Sequence, residues 1–170
     1  EEYNLFSFLA TAQKLDIDML PIEWESSIVG LGGTARIHEK FSNSITSLAF
    51  KRIHPDDIRS KPQEHIFRML ITEIMVLKHP VLSMHANVVS LEGICWDIST
   101  HDHRPWPVLV FEKTEFGDLT RFSRLPLGRE MGIEQRLRLC LDIAKAIKDM
   151  HSHDIIHGDL KPDNILIFRD

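Results

Sequence analysis

Leu5, Phe8, Leu9, Ala12 and Leu15 recur at intervals of three and four, the repeat of a helix with one buried face. A helix is therefore expected within residues 3–20, ended by Pro21, because proline disfavours helix in the residue before it. From Ile22 to Ile53 the pattern is strand-like, with glycines at 30, 32 and 33. The stretch KPQEHIFRMLITEIMVLKH reads as a helix starting near Pro62, with Phe67, Leu70, Ile74 and Leu77 on one face. NVVSLEGICWDI and PVLVFEK read as two more strands, and STHDHRPWP between them as a polar turn. In IEQRLRLCLDIAKAIKDMHSHD, a second strong helix, Leu137, Cys140, Leu141, Ala144, Ile147 and His151 form one stripe. Strands, helix, strands, then helices predict an α+β domain followed by a mostly helical one.

A chain of 170 residues suffices for one domain or two small lobes, and 43% hydrophobic with 26% charged residues is ordinary globular composition. The net charge of −5 argues against a nucleic-acid partner. No apolar run approaches the roughly 20 residues of a spanning helix, so no membrane partner is expected. The acidic start, EEYNLFSFLA, is unlike a secretory signal. Cytoplasmic or nuclear residence follows as the expectation. The first residue is Glu, which suggests a chain processed or cut from something longer. Cys95 and Cys140 follow no CxxC spacing and are expected to be buried, reduced thiols.

Three stretches carry candidate chemistry. GLGGTARI, from Gly30 to Ile37, could let the backbone approach a phosphate, although such a stretch alone is more often a plain turn. SLAFKRI is an apolar strand with Lys51 in its middle. A lysine there is costly unless its charge meets a partner or faces solvent. Glu73, amid ITEIMVL, is a possible partner. In that arrangement Lys51 would hold two phosphates of a nucleotide, and Glu73 would hold Lys51. The third stretch is the octet HGDLKPDN, His157 to Asn164.

Together these stretches resemble the protein kinase family from about Ile22 to Asp170. The glycine loop is similar to G-x-G-x-x-G-x-V, the strand lysine to V-A-I-K and the octet to H-R-D-L-x-x-x-N. HANVVSLEGICW resembles the segment that follows the αC helix in that family. The resemblance implies an antiparallel N-lobe sheet with one αC helix, then the first part of a helical C-lobe. Residues 1–21 would be an N-terminal helical extension, 22–112 the ATP-binding N-lobe and 113–170 a partial C-lobe. Val29, Gly30, Leu31, Gly32, Gly33, Thr34, Ala35 and Ile37 would cover ATP, with Lys51 and Glu73 beneath its phosphates. Ala49, Val29 and Ile37 would sandwich the adenine, and the backbones of Glu112 and Thr114 would hydrogen-bond its edge. Phe111 would be the gatekeeper, and Asp118 could reach the ribose.

Asp159 would accept the proton of the substrate hydroxyl, Lys161 would contact the γ-phosphate, and Asn164 would bind Mg²⁺. His157 would hold the loop by packing and hydrogen bonding. Lysine at position 161 favours Ser/Thr over Tyr as the acceptor on a protein substrate. Two positions depart from the family pattern. Ala35 replaces the third glycine and should stiffen the loop tip. Gly158 replaces the Arg of H-R-D, so the pairing of that Arg with an activation-loop phosphate is not expected here.

The D-F-G aspartate, a second magnesium ligand, would fall roughly a dozen residues after Asn164 by the same resemblance. Only six residues follow Asn164, so the 170 residues alone are expected to be inactive in transfer. A pseudokinase or scaffold acting by binding is the alternative, with a small-molecule phosphotransferase, suggested by HGD, behind it. The histidines of HDH, at 101–103, and of HSHD are expected to be ordinary surface or packing residues. The helix from about Ile133 to His151 is apolar on more than one face, since Leu139 and Ile143 lie off its stripe. It should therefore stand open along one side unless further C-lobe helices or a partner cover it, and the isolated chain should tend to aggregate.

Overall fold

In a computed structural model, the described residues are 2–22, 27–31, 35–41, 47–98 and 104–169. They divide into two compact units. The first, Glu1–Lys78 with Ser90–Lys113, is α+β; the second, His79–Val89 with Thr114–Asp170, is helical. Gly32, Gly33, Thr34 and His101 to His103 lie outside the described residues.

Five antiparallel strands form the sheet of the first unit: β1 (Ser27–Leu31), β2 (Ala35–Phe41), β3 (Ser47–Ile53), β4 (Leu91–Ile98) and β5 (Pro105–Glu112), in the order β1-β2-β3-β5-β4. The period of two in β3 sends Phe50 to one face, where it packs with Cys95, Val108 and Val110. Ala49 and Lys51 then share the other face. β5 starts two residues earlier than its apolar run suggests. Pro105 and Pro107 pair only with β4, because β3 meets β5 from Leu109 onward. A missing amide proton is tolerated where one side of a strand has no ladder.

The first helix, α1 (Leu5–Lys14), begins at Asn4, whose side chain accepts from the amides of Phe6 and Ser7. It ends well before Pro21. Asp16 takes φ 52°, the amide of Ile17 donates to the Ala12 carbonyl and that of Asp16 to Gln13. This left-handed closure is specified by local hydrogen bonding, which apolar spacing does not register. Beyond it, Met19 bridges Ile94 in parallel and covers part of the edge strand β4. A short helix, α2 (Pro55–Ser60), precedes α3 (Gln63–Leu77), which buries Ile66, Phe67, Leu70, Ile71 and Ile74. Cys95 is buried, and burial pushes its thiol up to about 12. It is therefore an inert packing residue at neutral pH.

In the second unit, α4 (Leu119–Phe122) and α5 (Pro126–Arg129) precede α6 (Ile133–His151). Gly128 permits their close packing, since a Cβ there would lie 2.1 Å from the Phe122 carbonyl oxygen. Residues 79–89 join α6 through an Asn87 amide donating to the Asp142 carbonyl at 3.1 Å and a His85–Asp149 contact at 3.3 Å. The packed face of α6 is not the expected stripe. Leu137 and Leu141 are 55% and 58% exposed, and Cys140 is exposed too, which corrects the reading of two buried thiols. Ala146 and Met150 are buried, with Leu139 and Ile143 half-buried above them. The helix is thus open along one side, as anticipated.

That asymmetry sets the expected cost of truncation. Met150→Ala should destabilise the chain by about 2–5 kcal/mol, as in other buried large-to-small changes. Leu141→Ala should stay within about 0.5 kcal/mol, as at other surface positions. Urea unfolding of both variants checks the order. Equal costs would mean that the stripe is packed after all.

Candidate active site

Lys51 and Glu73 meet. Lys51 Nζ donates to Glu73 Oε1 at 2.5 Å, joining the middle of β3 to α3. Antiparallel register places Lys51 opposite Ile37 on β2 and Leu109 on β5, with Ala49 opposite Phe111. A pocket beside the pair is lined by Ile53, Ile66, Met69, Leu70 and Leu109, with Asp57 and Lys61. The side chains of the pair are 39% and 30% exposed. A pair so open to solvent contributes about 0–1 kcal/mol. Each of the five apolar side chains that α3 buries contributes about 1.5–3 kcal/mol. Packing therefore positions Glu73, and the ion pair does not hold the helix. Arg52, next to Lys51, pairs instead with Asp97 of β4.

Of the expected glycine-loop residues, Val29, Gly30 and Leu31 lie on β1, and Ala35 and Ile37 on β2. Gly30 pairs with Ile37 and Leu31 with Arg36, and the register slips between Ile28 and Gly30, at Val29. Phe111 is buried near the end of β5 and Glu112 is its exposed last residue. Thr114 belongs to the second unit, where its hydroxyl donates to the Ile167 carbonyl. Asp118 is the N-cap of α4 and accepts from the Arg121 amide at 2.8 Å. This capping role explains an aspartate there without any ligand.

The octet forms a tight local network in the second unit. Lys161 Nζ lies 2.8 Å from Asp159 Oδ2. The Asn164 amide donates to the Asp159 carbonyl at 2.7 Å and to its carboxylate at 3.0 Å. A 3₁₀ turn over Pro162–Asn164 folds the chain back, and the Asn164 amide N–H closes it on the Lys161 carbonyl. Thr120 of α4 donates to Asp163, and the Leu119 amide donates to the Ile165 carbonyl, so the strand-like exit of the loop is tied to α4. His157 is exposed; its part is a hydrogen bond, accepting from the Asp159 amide at 3.3 Å, rather than packing. Gly158 has φ 72°, which strains any L side chain, while space around it is open. Backbone conformation, not crowding, favours glycine there.

The hydrogen bond from Lys161, then that from Asn164, holds the Asp159 carboxyl below its ordinary value. Asp159 correspondingly raises Lys161. A carboxylate depressed in the folded state adds stability above its ordinary value and loses it as pH falls through the folded value. Asp159 is thus charged and able to accept a proton at neutral pH. With its amide nitrogen committed to Asp159, Asn164 keeps a carbonyl oxygen to offer. That oxygen and the carboxylate are the hard donors that suit Mg²⁺. Among the described residues, no group of three or more His, Cys, Asp or Glu could hold a metal.

A titration of Asp159 followed by NMR tests this network. The midpoint should lie below the ordinary 3.8 and rise towards it in Lys161→Gln. An unchanged midpoint would remove Lys161 as the leading cause.

The sequence resembles those of known proteins. The family profile described as protein kinase domain covers residues 25–170. Probable serine/threonine-protein kinase roco6 of Dictyostelium discoideum is 31% identical over 155 residues, 88% of this chain and 6% of that protein. Receptor-like protein kinase THESEUS 1 of Arabidopsis thaliana is 32% identical over 149 residues, 84% of this chain and 15% of the relative. Cyclin-dependent kinase 4 homolog of Caenorhabditis elegans is 30% identical over 118 residues, 65% of this chain and 27% of the relative. The chain thus spans less than a third of the length of each of these relatives. With the profile running over both units, from β1 through the octet, the chain belongs to the eukaryotic-type protein kinase domain family.

Proposed function

We propose that this chain carries the nucleotide-binding and catalytic-loop residues of an ATP-dependent kinase acting on Ser or Thr of a protein substrate. The observation that carries the reading is the 2.5 Å contact between Lys51 and Glu73. A scaffold has no need of a lysine placed mid-strand and met by a glutamate from a helix. Under this reading residues 22–112 are the N-lobe, 113–170 the start of the C-lobe and 1–21 an extension. No helix among the described residues is long and apolar enough to cross a membrane, and cytoplasmic or nuclear residence is part of the proposal.

The roles follow from the chemistry of each group. Lys51, oriented by Glu73, binds two phosphates of ATP. Backbone amides from Val29 to Ile37, including Gly32, Gly33 and Thr34, cradle the rest, and Ala49 with the backbones of Glu112 and Thr114 takes the adenine. Phosphoryl transfer needs little covalent help; it needs an aligned hydroxyl and compensated charge. Asp159 orients the acceptor hydroxyl and receives its proton at Oδ. Lys161 exchanges its contact with Asp159 for the γ-phosphate. Asn164 would hold Mg²⁺ through its amide oxygen, and the cation, when bound, supplies neutralisation of phosphate charge. The 170 residues contain no D-F-G triplet, which supports nucleotide binding without efficient transfer when they are assayed alone. Binding-only action, as in a pseudokinase, is the second reading.

Calorimetry with Mg-ATP tests the first half. Lys51→Met should weaken binding by about tenfold, the value of one charge-assisted contact. Equal affinity in the two forms would sink the assignment. In a longer chain that includes a D-F-G segment, Asp159→Asn should lower the rate of Ser/Thr phosphorylation by about 100-fold or more. ATP binding should be nearly unchanged. Phosphotyrosine as the main product would refute the Ser/Thr reading. Transfer only to a small alcohol would favour a small-molecule phosphotransferase, and no transfer by either form would favour the binding-only reading.

A further inference from the structure

The kinase family profile begins at residue 25, yet residues 2–22 are built into the first unit. Phe8 and Ala12 of α1 have no exposed surface. The Phe8 ring lies 6.2 Å from that of Phe67 on α3, tilted by 53°. Phe67 in turn stacks on Trp106 of β5 at 5.6 Å and 17°. One aromatic chain therefore joins α1, α3 and the sheet.

A second set of contacts fixes the far end of the segment. The Ile94 amide donates to the Asp18 carbonyl at 2.8 Å, and the Leu20 amide donates to the Ile94 carbonyl at 2.7 Å. At Gly93 a Cβ would stand 2.8 Å from both Asp18 O and Leu20 Cγ, so this approach depends on glycine. Between the two anchors, the left-handed turn at Asp16 closes α1 directly onto the strand-like segment. The helix has little freedom to drift from α3.

Glu73 rides on α3, and the ion pair is too exposed to fix that helix by itself. A packed helix moves as a unit, so what seats Phe67 also seats Glu73. We propose that α1 is a built-in brace for α3, and that Phe8, acting through Phe67, is a positioning residue for the Lys51–Glu73 pair. The proposal rests on the reading of that pair as the phosphate anchor. It assigns the segment before the family's matched span a part in nucleotide binding. Removing the Phe8 ring opens a void that α3 can enter, and Glu73 is carried away from Lys51.

The test is a double-mutant cycle on the 170-residue chain, with Mg-ATP affinity as the readout and thermal melting alongside. Phe8→Ala should weaken binding by about threefold to tenfold, the usual range for coupled sites. In the Glu73→Gln background the same change should have no further effect, because the pair that it positions is already broken. Phe8→Leu, which keeps most of the volume, should restore affinity. Val108→Ala, in the sheet core with Phe50 and Cys95, should lower melting but leave affinity unchanged. Phe8→Val enters the same cycle as a smaller cut, so the answer does not depend on one variant folding.

Equal losses in both backgrounds, or loss of affinity in Val108→Ala to match its melting, would mean general loosening and overturn the brace. Unchanged affinity in Phe8→Ala, with Glu73→Gln weakened, would overturn the brace alone. Unchanged affinity in Glu73→Gln would overturn the phosphate-anchor reading and the brace with it.

Discussion

Lys51, in the middle of an apolar strand, meets an opposite charge from an element 22 residues later in the chain. The contact between Lys51 and Glu73 is short, yet both side chains are partly open to water. Its own contribution to stability is at most about 1 kcal/mol. Its geometry is therefore a consequence of how α3 lies on the sheet. The buried row from Ile66 to Ile74, the stacked Phe67 and Trp106, and the cover given by α1 all serve that placement. The pair is weak in energy, and its position is set by the packing of α3.

The octet follows a different logic. Its cohesion is local: Lys161 and Asn164 both turn back on Asp159, and the 3₁₀ turn at Pro162 brings Asn164 within reach. Its exit is tied to α4, where Thr120 donates to Asp163 and the Leu119 amide to the Ile165 carbonyl. Eight consecutive residues suggested its chemistry through their resemblance to H-R-D-L-x-x-x-N, while the Lys51–Glu73 pair was inferred from two stretches read together. The Lys161 contact also lowers the Asp159 carboxyl below its ordinary value, so Asp159 stays ionised to lower pH.

Periodicity revealed α3 and the extent of α6, and apolar runs marked β3, β4 and β5 to within a few residues, while the rest of residues 22–53 read only as strand-like. It failed where a helix is apolar on two faces. In α6 the repeat through Leu137 and Leu141 is real, but the covered face runs through Ala146 and Met150, and only tertiary structure selects between them. The end of α1 at Asp16 and the need for Gly93 were hidden for a related reason. The left-handed turn is set by local backbone hydrogen bonds, and the close approach at Gly93 by atoms of Asp18 and Leu20; apolar spacing registers neither. Residues 79–89 look like a connector between α3 and β4, yet their partners on α6, Asp142 and Asp149, lie far along the chain. The glycine loop was legible as a motif, and Gly32, Gly33 and Thr34 lie outside the described residues.

Exchanging the two charges tests most directly whether the Lys51–Glu73 pair exists for nucleotide. A chain carrying Lys51→Glu together with Glu73→Lys keeps an ion pair between β3 and α3 but turns a carboxylate towards the phosphates. The measurement is Mg-ATP affinity by calorimetry on the exchanged chain, beside its melting curve. Expected is a melt close to that of the unaltered chain, since so exposed a pair contributes at most about 1 kcal/mol, with loss of detectable binding. Mg-ATP binding by the exchanged chain as tight as by the unaltered one would contradict the assignment and leave the pair a structural contact only.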